Sequence, residues 1–151
     1  MKTWLIGEQN PYSRGHEYDL YPFPENASGD RLRKILGITV DEYLERFERR
    51  NLLHKGEKWG VKTAKAAADA VLAKAAGARL VLLGAKVTKA FGHEFKPFHL
   101  CFGVDYDNGV SHRSLNPYAL ILPHPSGLSR AWNDIDAVQK ARDALVALEA
   151  E

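Results

Sequence analysis

Apolar residues come in short bursts along this chain, separated by stretches of helical period. Thr3-Trp4-Leu5-Ile6, Asn51-Leu52-Leu53-His54, Arg79-Leu80-Val81-Leu82-Leu83 and Tyr118 to Leu122 are too short for helices and show no polar alternation. That is the pattern of strands buried on both faces of a parallel sheet. Helical patterns fill the gaps. Asp30 can cap a helix from Arg31 to Leu36, which Gly37 ends. Thr39-Val40-Asp41-Glu42 has the spacing of a capping box, followed by an apolar face of Tyr43, Leu44 and Phe47 and a solvated face of Glu45, Arg46, Glu48, Arg49 and Arg50. Thr63 to Ala76 is an alanine-rich helix stopped by Gly77, and Ala85 to Phe91 follows Gly84. The closing helix is expected to start at Asn133-Asp134, with Ile135, Val138, Ala141, Leu145 and Leu148 on one face. Phe98 to Tyr106 alternates and meets the turn signal Asp107-Asn108-Gly109, so the region through Asn116 is read as an edge strand and loop. Together these predict an α/β fold, a three-layer α/β/α sandwich around roughly four parallel strands, with residues 1–151 as one domain.

Composition narrows the chemistry. The chain has 151 residues, 45% hydrophobic and 26% charged, which suits one globular domain with a sizeable core. It has neither a long apolar run nor the start of a signal peptide, so a cytoplasmic monomer with no membrane partner is expected. Cys101 is the only cysteine, which rules out an intramolecular disulfide and cysteine-ligated zinc or iron–sulfur sites. His16, His54, His93, His99 and His112 fall into no metal-ligand spacing, so neither metal nor cofactor is expected. A net charge of +2 is mild, so any grip on nucleic acid depends on a local basic face and backbone amides.

Two loops concentrate the unusual residues. The first strand runs into Gly7-Glu8-Gln9-Asn10-Pro11-Tyr12-Ser13, and the last central strand runs into Pro123-His124-Pro125-Ser126-Gly127-Leu128-Ser129-Arg130. In an open parallel sheet, loops at the carboxyl ends of strands line one crevice, so these two are expected to meet there. A rigid Pro-His-Pro-Ser-Gly turn opening towards a helix N-terminus can offer backbone N–H groups and an imidazole to an anion. The aperiodic segment from Arg14 to Gly29, with Tyr18, Tyr21, Pro22, Phe23 and Pro24, suits a lid or a stacking wall.

These residues resemble the uracil-DNA glycosylase superfamily. Gly7-Glu8-Gln9-Asn10-Pro11-Tyr12 stands where the family has a Gly-x-x-Pro-Tyr or Gly-x-x-Pro-Gly motif after its first strand, and His124-Pro125-Ser126-Gly127-Leu128-Ser129 stands where it has a His-Pro-Ser motif. Phe23, Gly29-Asp30-Arg31-Leu32, a strand opening at Asn51 and Val81-Leu82-Leu83-Gly84 fit between them, so the likeness spans nearly the whole chain. The first motif has one residue more between Gly7 and Pro11 than is usual, so either Asn10 or Glu8 can be matched to the residue that handles water.

The resemblance implies a monofunctional glycosylase that flips uracil or a related pyrimidine out of DNA and hydrolyses its N-glycosidic bond without cofactor. His124 would donate to the departing base, and Asn10 or Glu8 would manage the water. Gly7, Gln9, Pro11 and Tyr12 would border the base, with Tyr12 where some members block a thymine methyl. Phe23 would stack on the base and the Asn51 amide would match its edge. Ser126, Gly127 and Ser129 would grip phosphates, Leu128 would enter the vacated stack, and Arg130 could pair with a phosphate. A non-catalytic sensor of modified DNA and a hydrolase of free nucleosides or nucleotides remain open alternatives.

Overall fold

The computed structural model describes residues 1–11, 15–126 and 129–150. Five strands form one sheet in the order β2-β1-β3-β5-β4. β1 (Thr3–Gln9), β2 (Phe47–Leu53), β3 (Leu80–Leu83) and β5 (Val110–Leu122) are mutually parallel, and β4 (Leu100–Asp107) is antiparallel to β5 at one edge. The expected four-stranded parallel core is therefore present, with a fifth, antiparallel strand added.

The lack of alternation in the central strands has a direct cause. Leu5, Val81, Leu83, Leu120 and Leu122 face one core cluster with Leu32, Leu36, Tyr43, Leu145 and Leu148. Their strand neighbours Ile6, Leu80, Leu82, Ala119 and Ile121 face a second cluster with Ala68, Ala75 and Val87. Thus α1 (Ser28–Leu36), α2 (Val40–Arg46) and α5 (Ala137–Glu149) cover one face, while α3 (Val61–Lys74) and α4 (Ala85–Ala90) cover the other. Both faces of each central strand are dry, which completes the three layers.

Several boundaries differ from the sequence reading. The helix opened by Thr39 has its reciprocal capping box with Glu42 but stops at Arg46. Phe47 is already strand, paired with Thr3, so Glu48, Arg49 and Arg50 lie on edge strand β2 instead of a helix face. Their charge and length suit an edge that must not pair further. Asp30 does not cap α1 from outside: Ala27 is the N-cap, and the Asp30 carboxylate reaches back to the Asn26 N–H at 2.9 Å. At the other end, residues after Asn116 do not begin a new strand, because β5 is continuous for 13 residues. The closing helix starts at Ala137, after a 3-10 turn at Arg130–Asn133, and Ile135 is 95% exposed. Ala137 takes its place on the buried face with Ala141, Leu145 and Leu148.

The carboxyl ends of the four parallel strands share one side of the sheet. β1 connects outward to β2, and the chain then crosses to β3 on the other side of β1. That reversal opens a crevice at the end of β1.

Candidate active site

A pocket of about 80 Å³ occupies this crevice, lined at its base by Glu8, Gln9, Asn51 and His124. It is far smaller than the ~300–1,000 Å³ of a site for a drug-sized ligand. Its outer wall comes from Pro11, Tyr18, Leu20, Tyr21 and the start of α1 at Ala27, Ser28 and Gly29. The N-terminus of α1 faces the pocket with no side-chain cap from Ala27 and with the Asp30 carboxylate in its first turn. The expected anion-facing helix end after Arg130 is not found there, since a 3-10 turn follows instead.

His124 is half-buried just beyond β5, and its backbone and ring are both tied down. Trp132 Nε1 donates to the His124 carbonyl at 2.9 Å, and the Ser126 backbone N–H donates to His124 Nδ1 at 3.0 Å. An Nδ1 that accepts a hydrogen bond carries no proton, so in the neutral ring the hydrogen sits on Nε2. Burial pushes the imidazole pKa below its usual 6.5, while the nearby Glu8 carboxylate pulls it back in part. The net result favours a neutral ring with one N–H to give.

Gly84, at the end of β3, lets these two groups come together. Its φ of 95° and ψ of 167° lie in a region essentially restricted to glycine. A Cβ there would sit 3.3 Å from His124 Cβ and 3.6 Å from Glu8 Oε1. The sequence marks Gly84 only as a strand end; its role in seating two loop side chains becomes visible once β3 lies between β1 and β5.

Asn10 and Asn51 are organised from below by Asp19, a fully buried residue that the sequence reading passed over. Its Oδ1 accepts from Asn10 Nδ2 at 2.9 Å and from Asn51 Nδ2 at 3.4 Å, and its Oδ2 accepts from the Asn51 backbone N–H at 2.9 Å. Asn10 also donates to the Gly15 carbonyl at 3.3 Å. Asn10 is thus fully buried and forms no part of the pocket lining. Its amide holds the long loop in place, and Glu8 is the one of the two candidates that reaches the pocket. Asn51 does line it, and it lies so close to Gly7, its register partner in β1, that a Cβ on Gly7 would be 2.3 Å from Asn51 Oδ1.

The remaining expected residues divide. Gln9 and Pro11 line the pocket, and Gln9 Nε2 also binds the His54 carbonyl at 3.0 Å and the Glu57 carbonyl at 2.6 Å. Phe23 does not line it: the ring is 51% exposed and packs 5.6 Å from Tyr21. Tyr18 and Tyr21, 5.2 Å apart and edge to face, supply the aromatic wall instead. Arg49 holds that wall, with its guanidinium 5.6 Å from the Tyr21 ring and Nη1 on the Asp19 carbonyl at 2.9 Å. Below it, Tyr43 Oη donates to the Leu20 carbonyl at 2.7 Å. The Ser129 N–H donates to the Ser126 carbonyl at 3.1 Å, and Arg130 is exposed. Tyr12, Gly127 and Leu128 lie outside the described residues.

No protein-family model matches the chain, and no curated protein matches it in sequence. The chemistry of the pocket therefore rests on its own geometry.

Proposed function

We propose that the protein is a DNA glycosylase that hydrolyses the bond between deoxyribose and uracil or a related modified pyrimidine. The observation that carries this reading is the His124 ring. It is neutral, locked by the Ser126 N–H on Nδ1, and keeps its Nε2–H as the donor, in a small pocket shared with a carboxylate.

As the carbon–nitrogen bond breaks, its electron pair passes to the base, and negative charge builds on a ring oxygen. A fixed N–H directed at that oxygen stabilises the charge more than it stabilises the uncharged substrate. Water adds its oxygen to the sugar carbon and passes a proton to Glu8, a role an asparagine amide could not fill at neutral pH. Tyr18 and Tyr21 offer faces or edges on which an extruded base can rest, and Asn51 offers the amide that reads its edge. Ser126 and Ser129, with Arg130, supply groups suited to the flanking phosphates.

Purified protein incubated with single- and double-stranded oligonucleotides carrying uracil or other modified pyrimidines, then treated with alkali, should give breaks at the modified position. Absence of breaks across the panel would remove the enzymatic reading, and tight binding without breaks would identify a sensor of modified DNA.

A further inference from the structure

Behind the pocket wall, the fold brings His54, from the end of β2, to His16 and Asp19 on the loop after β1. His16, Asp19 and His54 each place one possible ligand atom within 4.8 Å of the other two. His16 Nδ1 lies 2.7 Å from Asp19 Oδ2, and the two imidazole rings are 4.6 Å apart. One feature of this cluster is unexplained by hydrogen bonding. His54 Nδ1 is buried with no hydrogen-bond partner among the described residues. The Asp19 carboxylate is wholly buried, held by the donors of Asn10 and Asn51, and its ion-pair partner among the described residues is the half-exposed His16. Arg49 reaches its carbonyl instead. An orphaned buried imidazole nitrogen is costly unless something meets it.

We propose that His16, Asp19 and His54 bind a divalent transition metal of the zinc type. Two imidazoles and one carboxylate are a zinc ligand set, with ligands about 2.1 Å from the ion and hence roughly 3.4 Å from one another. The separations seen here span that value, so side-chain movements of about an ångström close the site. The metal takes the place of the proton between His16 Nδ1 and Asp19 Oδ2. That proton leaves to solvent as the metal binds. The supporting contacts exist already: Asn10, Asn51 and the Asn51 backbone fix the carboxylate. The backbone of His54 is pinned by Gln9 and by Glu57 Oε1. Such outer contacts are what orient metal ligands. The ion would tie the loop after β1 to the end of β2, and its binding is separable from base release.

The test is titration of tag-free, chelator-treated protein with Zn²⁺ by calorimetry, and with Co²⁺ followed by visible absorption. One ion per chain is expected, with affinity falling at least tenfold in both His16→Ala and His54→Gln, and unchanged in His112→Ala. NMR of the histidine rings in the unsubstituted protein provides a readout that needs no variant: Zn²⁺ should shift His16 and His54. No saturable binding, binding indifferent to both substitutions, or shifts confined to other histidines would overturn the proposal.

Discussion

The Ser126 backbone N–H donates to His124 Nδ1 at 3.0 Å, and this one bond fixes both the tautomer and the direction of the ring. Protonating Nδ1 would replace an attraction with a clash of two hydrogens. Together with burial, that keeps the imidazole neutral to lower pH than usual. Base release should therefore persist unchanged as pH falls through 6.5 and decline only below it. Replacing Glu8 by Gln removes the carboxylate that raises the His124 pKa, so the acid limb should move to still lower pH while the maximum rate drops. A rate profile with a limb at or above 6.5 would show that the ring titrates as an ordinary histidine.

Asp19 should matter to both the fold and the pocket. Asp19→Ala leaves the buried donors of Asn10 and Asn51 without their acceptor, at a cost of about 2–4 kcal/mol. Asp19→Asn retains volume but turns one acceptor into a donor facing other donors, so it should recover little of that loss. Chemical denaturation of the two variants checks this; stability equal to wild type in either would mean that the hub is not structural.

At Gly84 the effects should separate differently. An added methyl meets both a glycine-only backbone conformation, worth roughly 1–3 kcal/mol, and the Cβ of His124. Gly84→Ala should lower stability and, in the fraction still folded, reduce base release further because His124 and Glu8 are pushed apart. Normal turnover per folded molecule would contradict the seating role.

Asp30 gives a pH signature unrelated to the pocket. The Asn26 N–H, then Lys34 and Arg33, hold its carboxyl well below the usual 3.8. A depressed folded-state pKa adds stability that is full above the unfolded value and disappears as pH falls through 3.8 towards the folded one. Asp30→Asn should thus destabilise by about 1 kcal/mol at pH 7 and by progressively less in acid. Thermal melts at both ends of that range test it, and a constant difference would refute the linkage.

Much of the architecture could be read from the letters because burial on two faces leaves a plain trace. Leu80 to Leu83 has no polar position, and both clusters it touches explain why. The errors came where one pattern served two geometries. Tyr43, Leu44 and Phe47 fit a helical stripe, yet Phe47 is buried from β2, because a strand that follows a helix directly leaves no turn residues to announce it. Ile135 kept the helical period but precedes the helix, and its exposure shows that period alone does not fix a start. In the site, His124 and Glu8 stand in short motifs, which is why the sequence points to them, and both line the pocket. Neither Asp19 nor His54 belongs to a motif, and their meeting depends on the parallel pairing of β1 with β2. Of the aromatics in the aperiodic segment, Tyr18 and Tyr21 line the pocket while Phe23 is exposed, a division set by the path of the loop that no spacing reveals.

The central claim is that the Nε2–H of His124 stabilises a departing base. The most direct test is the single-turnover rate of uracil release from a uracil-containing oligonucleotide by wild type and His124→Ala, with DNA affinity measured in parallel. The account predicts a rate loss of about a hundredfold, or roughly 3 kcal/mol, with binding little changed. Equal rates in the two proteins, or a loss explained entirely by weaker binding, would contradict it.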